Sequence, residues 1–477
     1  MAGTVDASTS YSPLMGLLYI FNLIVGTGAL ALPKAFQHAG YILSLVILAV
    51  SAIVSYISAT FVLEALAIGN AAQKRKQVAT IESKTDDESK DFEIKEKIEV
   101  SQMANMFLTK AGVIVCYVAM DVYLFGDLAI YSTTVPKSLM NIICASASNP
   151  SSIPNDHICR EGAPEFFTRF TVYRLCIVLF IMVTLPMIIV GVTKTKYLQL
   201  ATTISRWLAF ILMIILAIVQ VSKDGPAKIP PAVDMHGFGS LFGVTVYAFM
   251  CHHSIPSLVT PMSSKSRVFI KIFLVYVMVF SFYVLLSMTG SFAFDDLMDV
   301  YTLNFLKEDF TNAFQIIVNY FLALFPVFVI TTNYPIIGCT LINNVRVLRD
   351  MIFASNAKVY TEEQTEADKK KSKSFLLLSD IIIYVTMIGL PTVISILTDD
   401  MLLLATITGS YPGVGVQFLV PCLLIIYSRR YAERELKTTV PYRYSSPFAS
   451  KYWILAIFVW AVFSIVMVTL NLVGVKF

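Results

Sequence analysis

Charged residues are scarce in this sequence. Only 14% of its 477 residues are charged, whereas 56% are hydrophobic. Soluble domains carry about a quarter charged residues, so the composition excludes an ordinary soluble protein and predicts a polytopic protein embedded in a lipid bilayer. The formal net charge of +4 is small and spread over loops, which gives no reason to expect nucleic acid as a partner.

Residues that bind metals or carry out catalysis are also scarce. The chain has five histidines, and two of them, His252 and His253, are adjacent. The i, i+3 or i, i+4 spacing that places metal ligands on one helix face is therefore missing, and no metal site is predicted. No hydrolase triad, phosphate loop or dinucleotide fingerprint stands in a suitable context, so the sequence predicts neither an enzyme nor a cofactor.

The seven cysteines fall mostly in apolar segments and define no disulfide framework. Cys144 and Cys159 are the exception, because they lie in a predicted loop outside the cytoplasm, where an oxidising environment permits a bond. Closing a loop of about 15 residues stabilises a fold by about 3 kcal/mol in the chain-entropy model. We therefore predict a structural disulfide between them, with no catalytic role.

Long apolar segments dominate what is present. A bilayer core of about 30 Å takes roughly 20 helical residues to cross, and eleven segments are long enough. They lie near residues 14–36, 40–69, 111–143, 170–192, 198–220, 239–262, 269–294, 312–341, 376–397, 401–427 and 452–475. No charged region or cleavage pattern flanks the first segment, so we expect it to be retained structure. The predicted fold is all-α, with about eleven transmembrane helices.

Basic residues predict the orientation of these helices. Lys and Arg cluster in alternate loops, at 74–97, 194–196, 265–271, 346–373 and 429–451. Short cytoplasmic loops hold an excess of basic residues, so the N-terminus is predicted to be cytoplasmic and the C-terminus to lie on the other side. The sequence leaves the membrane open between the plasma membrane and a lysosomal or endosomal one.

Two predicted spans are interrupted near their middle. The first contains Gly26-Thr27-Gly28 followed by Pro33, and the sixth contains a run from Cys251 to Pro256. Glycine costs about 1 kcal/mol in a helix interior, and in lipid a broken helix is tolerated only where it lines a cavity. Because these spans open two groups of five, the pattern predicts an inverted-repeat carrier with its binding site at the membrane midplane.

This reading divides the chain into three parts. The first five-helix repeat covers 1–220 and includes a cytoplasmic loop at 70–103, and the second covers 221–430 and includes a loop at 342–375. Residues 431–477 form a further cytoplasmic loop and the eleventh helix. The two long loops mix charges and hold few aromatic residues, which favours disorder or mobile helix.

The chemistry of a helix break indicates the solute. Where a half-helix begins, free N–H groups and the positive end of the helix dipole suit a carboxylate. Where a half-helix ends, free carbonyl groups suit an ammonium group or a metal cation. An amino acid carries both a carboxylate and an ammonium group.

Specific motifs occur along nearly the whole chain. They are FNLIVGTGALALPKAF in the first span, VYLFGDLAIYSTTVP in the third, KTKYLQ between the fourth and fifth, VYAFMCHHSIPSLVTP in the sixth, LMDVYTLNF before the eighth and FPVFVITTNYPII within it. Together they resemble the transmembrane protein 104 family, within the amino acid/auxin permease group. The resemblance implies the five-plus-five inverted repeat of an amino acid permease and amino acid transport.

The resemblance also implies solute-binding residues in the first span. In related sodium-coupled members an asparagine four positions before the first glycine helps hold the ion or substrate, and Asn22 has this position. Its alternative role is a hydrogen bond to a neighbouring helix. Gly26, Thr27 and Gly28 match the break itself and are predicted to contact the solute, with close helix packing as the alternative for the glycines.

Cys251 and His252 are the corresponding candidates in the sixth span. The resemblance covers this pair, since some amino acid permeases show a Cys-His there. A histidine titrates near neutral pH, so His252 suits proton coupling or pH sensing. The alternative is a hydrogen-bonding side chain that fills the kink.

The candidates for ion coupling point to both sodium and protons. A sodium site of this fold uses hydroxyl groups of the eighth helix, and Thr331 and Thr332 are predicted there; their alternative is a bond to their own backbone. Arg206, in the fifth span, favours a proton, because some proton-coupled relatives place a basic residue of that helix where sodium would sit. Its alternative is an ion pair with an intramembrane acid.

Acidic residues within the spans are few. Asp121 and Asp127 lie in the third span, where ionisable groups are expensive and functional by default. At 100° per residue they point about 120° apart, so only one of them faces a given partner, such as Arg206. Glu64 and Asp380 are expected to reach the inner membrane interface instead.

The sequence thus predicts a secondary transporter of amino acids or similar small zwitterions, working by alternating access and coupled to protons or sodium. The alternative from another class is a non-transporting amino acid sensor or membrane scaffold that signals through its cytoplasmic loops.

Overall fold

The computed structural model describes residues 10–81, 91–144, 156–160, 162, 164–190, 196–306, 313–357 and 366–474. Within these ranges the chain is helical and forms no β-strand. The helices are α1 (Pro13–Ile24), α2 (Gly28–Ala39), α3 (Tyr41–Ile81), α4 (Val100–Phe107), α5 (Lys110–Ile143), α6 (Arg169–Val190), α7 (Lys196–Asp224), α8 (Phe238–Ala248), α9 (Ile255–Val259), α10 (Val268–Ala293), α11 (Ala313–Ala357), α12 (Glu366–Leu397), α13 (Met401–Thr408), α14 (Val420–Arg434) and α15 (Lys451–Leu472).

Helices occupy each of the eleven predicted apolar segments in the described part of the chain. There, nine helices are long and apolar enough to cross a membrane, counting α13 to α14 as one, and the bent pair α1–α2 makes a tenth span. Helices α8 and α9 occupy the sixth predicted segment but have only 11 and 5 residues. The all-helical multi-span fold is therefore confirmed, and an eleventh crossing stays a prediction.

The helices extend into the two predicted cytoplasmic loops. Helix α11 continues to Ala357 and α12 begins at Glu366, so the predicted loop at 342–375 is helical on both sides of residues 358–365, which lie outside the described part. Lys, Glu, Arg and Ala are good helix formers, which accounts for the extension. In the other predicted loop, 70–103, residues 82–90 lie outside the described part, and α4 begins at Val100.

The tenth predicted span departs from regular α-helix. Between α13 and α14 the chain makes two π-helical turns, Gly409–Gly413 and Gly415–Leu419. Pro412 lacks an N–H group and so cannot donate in a regular helical ladder. A Cβ added at Gly409 would overlap the carbonyl oxygen of Gly243, so two glycines permit this span to cross α8 at backbone contact.

The chain forms two compact units. The first consists of Met1–Met120, Pro230–Met288 and Thr406–Phe477, and the second consists of Asp121–Ile229 and Thr289–Ala405. In the first unit α2 and α15 pack on α8, and α3 packs along α14. In the second, α11 packs against α6, α7 and α12. Each unit combines segments that are distant in the chain, so each contains parts of both predicted repeats, 1–220 and 221–430.

A buried ion pair joins α3 to α14 in the first unit. Glu64 is 1% exposed, and its two carboxylate oxygens accept hydrogen bonds from Arg429 at 2.7 and 2.8 Å. The backbone amide of Ser446 donates to the same carboxylate at 2.7 Å. A partner on α14 thus compensates the charge of Glu64 within the protein. Its expected position at the inner membrane interface stays a prediction.

In the second unit, Cys144 and Cys159 form a disulfide with their Cα atoms 4.7 Å apart. The two half-cystines are buried and pack with Met140, Tyr173 and Ile177. The bridge thus fastens the end of α5 to the segment that leads into α6.

Candidate solute site at two helix breaks

The first helix break separates α1 from α2. The chain bends by 53° from one helix to the next, and three residues, Val25 to Thr27, lie between them. Val25 has φ −78° and ψ 78°, which ends the helix. The amide of Gly26 then donates to the carbonyl of Ile24 at 2.9 Å, a three-residue turn. Helix α2 starts again at Gly28, so its first amides lie at the break.

The second break separates α8 from α9. Helix α8 ends at Ala248, and Phe249, with ψ 7°, leaves the helical conformation. Pro256 stands in the first turn of α9, where its missing N–H group costs no helical hydrogen bond. Neither break contains Asp, Glu, Lys or Arg between its half-helices. The backbone dipoles therefore provide the fixed partial charges at these breaks.

The two breaks are in direct contact within the first unit. The side-chain oxygens of Thr27 and Tyr247 lie 2.8 Å apart and share a hydrogen bond. A Cβ added at Gly28 would stand 2.6 Å from the Cα of Ala248, so the two backbones touch there. The Tyr283 hydroxyl lies 2.9 Å from the carbonyl oxygens of both Ile24 and Ala248. The structure thus brings together two interruptions that are 220 residues apart in the chain.

The residues predicted in the first break differ in their surroundings. Asn22 is buried in α1, and Gly26 and Thr27 are half-buried. A Cβ at Gly26 would meet only the carbonyl oxygen of Leu23, at 3.9 Å, so Gly26 borders open space. Gly28 by contrast serves the close helix packing considered as its alternative. Solute contact by these residues stays a prediction.

Cys251 and His252 are both buried at the second break. The Cys251 sulfur lies 3.3 Å from the Tyr276 hydroxyl. His252 Nε2 lies 2.9 Å from the backbone carbonyl oxygen of Ser55. Because a carbonyl oxygen only accepts, Nε2 carries a proton and donates it. His252 thus fills the kink as a hydrogen-bond donor to α3, and proton coupling through it stays a prediction.

Gln417 belongs to the same neighbourhood, and sequence reasoning missed it. It is fully buried in the second π-helical turn, and its side-chain amide donates to the Ser55 hydroxyl. The Ser58 hydroxyl in turn donates to the backbone carbonyl of Gln417. The only signal in the sequence is one glutamine within an apolar span, which does not identify its partners.

The candidates for ion coupling all lie in the second unit, whereas the residues of the two breaks lie in the first. Thr331 and Thr332 are half-buried on α11, and the Thr332 hydroxyl donates to the Val329 carbonyl at 2.8 Å. That bond is the backbone role considered as the alternative for Thr332. A sodium site formed with these hydroxyls stays a prediction.

The charged candidates lie on α5 and α7. Asp121 and Asp127 are buried on α5. Arg206 is half-buried on α7, which packs against α11. Proton transfer through any of these groups stays a prediction.

A buried charge cluster on α5 was also missed by sequence reasoning. The Lys137 ammonium lies 2.8 Å from each carboxylate oxygen of Asp299 and 3.8 Å from the carboxylate of Asp399. It also donates to the Asp399 carbonyl at 2.7 Å, and Asp299 accepts the amide of Met401 at 2.8 Å. The cluster ties α5 to two interhelical segments. A lysine in the motif VPKSL inside a span is the signal that was available.

The sequence matches a known protein family over nearly its whole length. The family described as "Transmembrane amino acid transporter protein" matches residues 9–470. The chain is 52% identical to the Transmembrane protein 104 homolog of Caenorhabditis elegans over 100% of each chain. It is 36% identical to Transmembrane protein 104 of Homo sapiens over 99% of each chain, and 33% identical to the Drosophila melanogaster homolog over 98% of each chain.

Among solved structures, the fold is similar to MhsT, whose crystal structure was determined in complex with L-phenylalanine. The TM-score is 0.53 at 15% sequence identity, and the match covers 97% of this chain and 99% of MhsT. At this identity the likeness shows the fold alone. The full-length matches at the sequence level show more: the chain belongs to the transmembrane amino acid transporter family, together with the Transmembrane protein 104 homologs.

Proposed function

We propose that this membrane transporter carries amino acids or similar small zwitterions by alternating access, driven by a proton or sodium gradient. The observation that carries the proposal is the contact of two broken helices within one compact unit, through Thr27 and Tyr247 and through Gly28 and Ala248. Family membership supports transport, and L-phenylalanine bound to the fold neighbour MhsT supports the solute class.

The backbone at the first break supplies both kinds of partner that a zwitterion needs. The positive end of the α2 dipole suits the carboxylate, although the amides of Ala29 and Leu30 already donate to the carbonyl groups of Gly26 and Thr27 at 3.2 and 3.0 Å. The carbonyl oxygen of Leu23, next to the open space at Gly26, suits the ammonium group. Since neither break carries an ionised Asp, Glu, Lys or Arg, this pairing favours a solute with no net charge.

Uptake into proteoliposomes tests this function, with Gly26→Val as the variant that fills the open space. Proteoliposomes that contain the purified protein are given a pool of labelled amino acids outside, under an imposed proton or sodium gradient, and the label taken up is measured. We expect uptake that depends on one of the gradients and that falls about tenfold or more in the variant, because the added methyl groups occupy the solute's place.

Gly389→Val is the matched control for this experiment. Gly389 is a helical glycine of α12 in the second unit with open space at its Cβ position, so we expect uptake near that of the natural protein. Equal uptake by the Gly26 and Gly389 variants would contradict a solute site at the first break. If folded protein shows no uptake under either gradient while an amino acid raises its melting temperature, a non-transporting sensor replaces the transporter.

A further inference from the structure

We infer that Tyr283 is a positioning residue that holds both helix breaks in the geometry that binds the solute. The inference rests on the proposed function and adds a residue to it. Tyr283 lies on α10, an unbroken helix of the seventh predicted span, and its ring is fully buried.

One hydroxyl group serves two helix ends. The Tyr283 oxygen lies 2.9 Å from the carbonyl oxygen of Ile24, the last residue of α1, and 2.9 Å from that of Ala248, the last residue of α8. A phenol has a single proton to donate, so the two carbonyl groups share it. The carbonyl ends of α1 and α8 therefore share one hydrogen-bond donor, the Tyr283 hydroxyl.

The shared hydroxyl compensates an unfavourable pair of charges. The carbonyl end of a helix carries a partial negative charge, and here two such ends point at one place. The Ile24 carbonyl also accepts the amide of Gly26, but Tyr283 is the donor that both carbonyl groups share. Without this shared proton the two carbonyl groups would face each other in a buried site and would move apart. The phenol is held in place by its own packing, since the ring of Phe249 contacts it edge-on with centroids 5.4 Å apart.

The position of these carbonyl groups sets the geometry of the site. Helix α1 ends at Ile24, directly before the turn at Val25 and Gly26. Ala248 contacts Gly28 at the start of α2. A shift of either carbonyl group thus moves the backbone proposed to bind the solute. Tyr283 itself need not contact the solute to have this effect.

Tyr283→Phe removes the hydroxyl and keeps the ring, and Tyr276→Phe is the matched control. Tyr276 is also buried on α10, and its hydroxyl contacts the second break at Cys251 instead of joining both breaks. The full-length chain in lipid nanodiscs is compared by hydrogen–deuterium exchange over residues 20–30 and 245–256. We expect exchange to rise about tenfold in both segments for Tyr283→Phe, because buried carbonyl groups lose a donor. Tyr276→Phe should leave 20–30 unchanged.

Uptake kinetics separate positioning from a general folding defect. Loss of positioning should raise the apparent KM about tenfold with Vmax within about twofold, whereas fewer folded molecules would lower Vmax at constant KM. Unchanged exchange, exchange that rises in one segment only, or a loss of Vmax alone would overturn the inference. The exchange measurement needs no uptake, so it tests Tyr283 even if the protein proves not to transport.

Discussion

Alanine at Gly28 should lower the melting temperature and abolish uptake, whereas alanine at Gly26, two residues earlier, should leave the melting temperature close to that of the natural protein. A Cβ at Gly28 would stand 2.6 Å from the Cα of Ala248, while a Cβ at Gly26 would have nothing nearer than 3.9 Å. Overpacking of this kind costs about 1–3 kcal/mol or more, because backbone must shift. Here the shift would separate α2 from α8, the two helices that form the site.

The measurement is thermal unfolding of both purified variants in detergent, followed by uptake into proteoliposomes. The two variants serve as controls for each other, since the substitution is the same and both glycines belong to one motif. If Gly28→Ala unfolds at the temperature of the natural protein and still transports, the close contact of α2 with α8 does not exist as described. An equal fall in melting temperature at both positions would also contradict the argument.

Lys137→Met should cost about 3–5 kcal/mol of unfolding free energy, the usual effect of removing one partner from a buried ion pair. The substitution keeps the length of the side chain and leaves Asp299 buried, with a side chain only 6% exposed and no counterion at 2.8 Å. Chemical unfolding in mixed micelles measures the loss. In the double variant Lys137→Met/Asp299→Asn the charge is removed on both sides, so we expect less loss than in Lys137→Met alone.

Lys95→Met provides the exposed counterpart. Lys95 pairs with Glu93 at 3.0 Å, but the two side chains are 72% and 47% exposed. An exposed pair contributes about 0–1 kcal/mol, so this variant should unfold almost as the natural protein does. Similar losses for Lys95→Met and Lys137→Met would show that burial of the Lys137 cluster adds nothing to stability.

The sequence predicted the helical segments well because their signal is local. A run of about 20 apolar residues is sufficient to indicate a span, and described helices occupy all eleven runs. The ends were less well predicted, since α11 and α12 continue into charged segments where hydropathy falls but helix propensity stays high. The compact units were not predicted at all, because they join segments that are distant in the chain.

The sequence by itself determined that this is a multi-span membrane protein with a helix broken at Gly26 and another near His252, because hydropathy and the presence of glycine or proline act on the local backbone. Only the tertiary structure distinguished Gly26, beside open space, from Gly28, pressed against Ala248. It also decided that Tyr283 bridges both breaks and that Lys137 has Asp299 as its partner. These roles depend on which groups meet across packed helices, and the residues that meet lie far apart in the sequence.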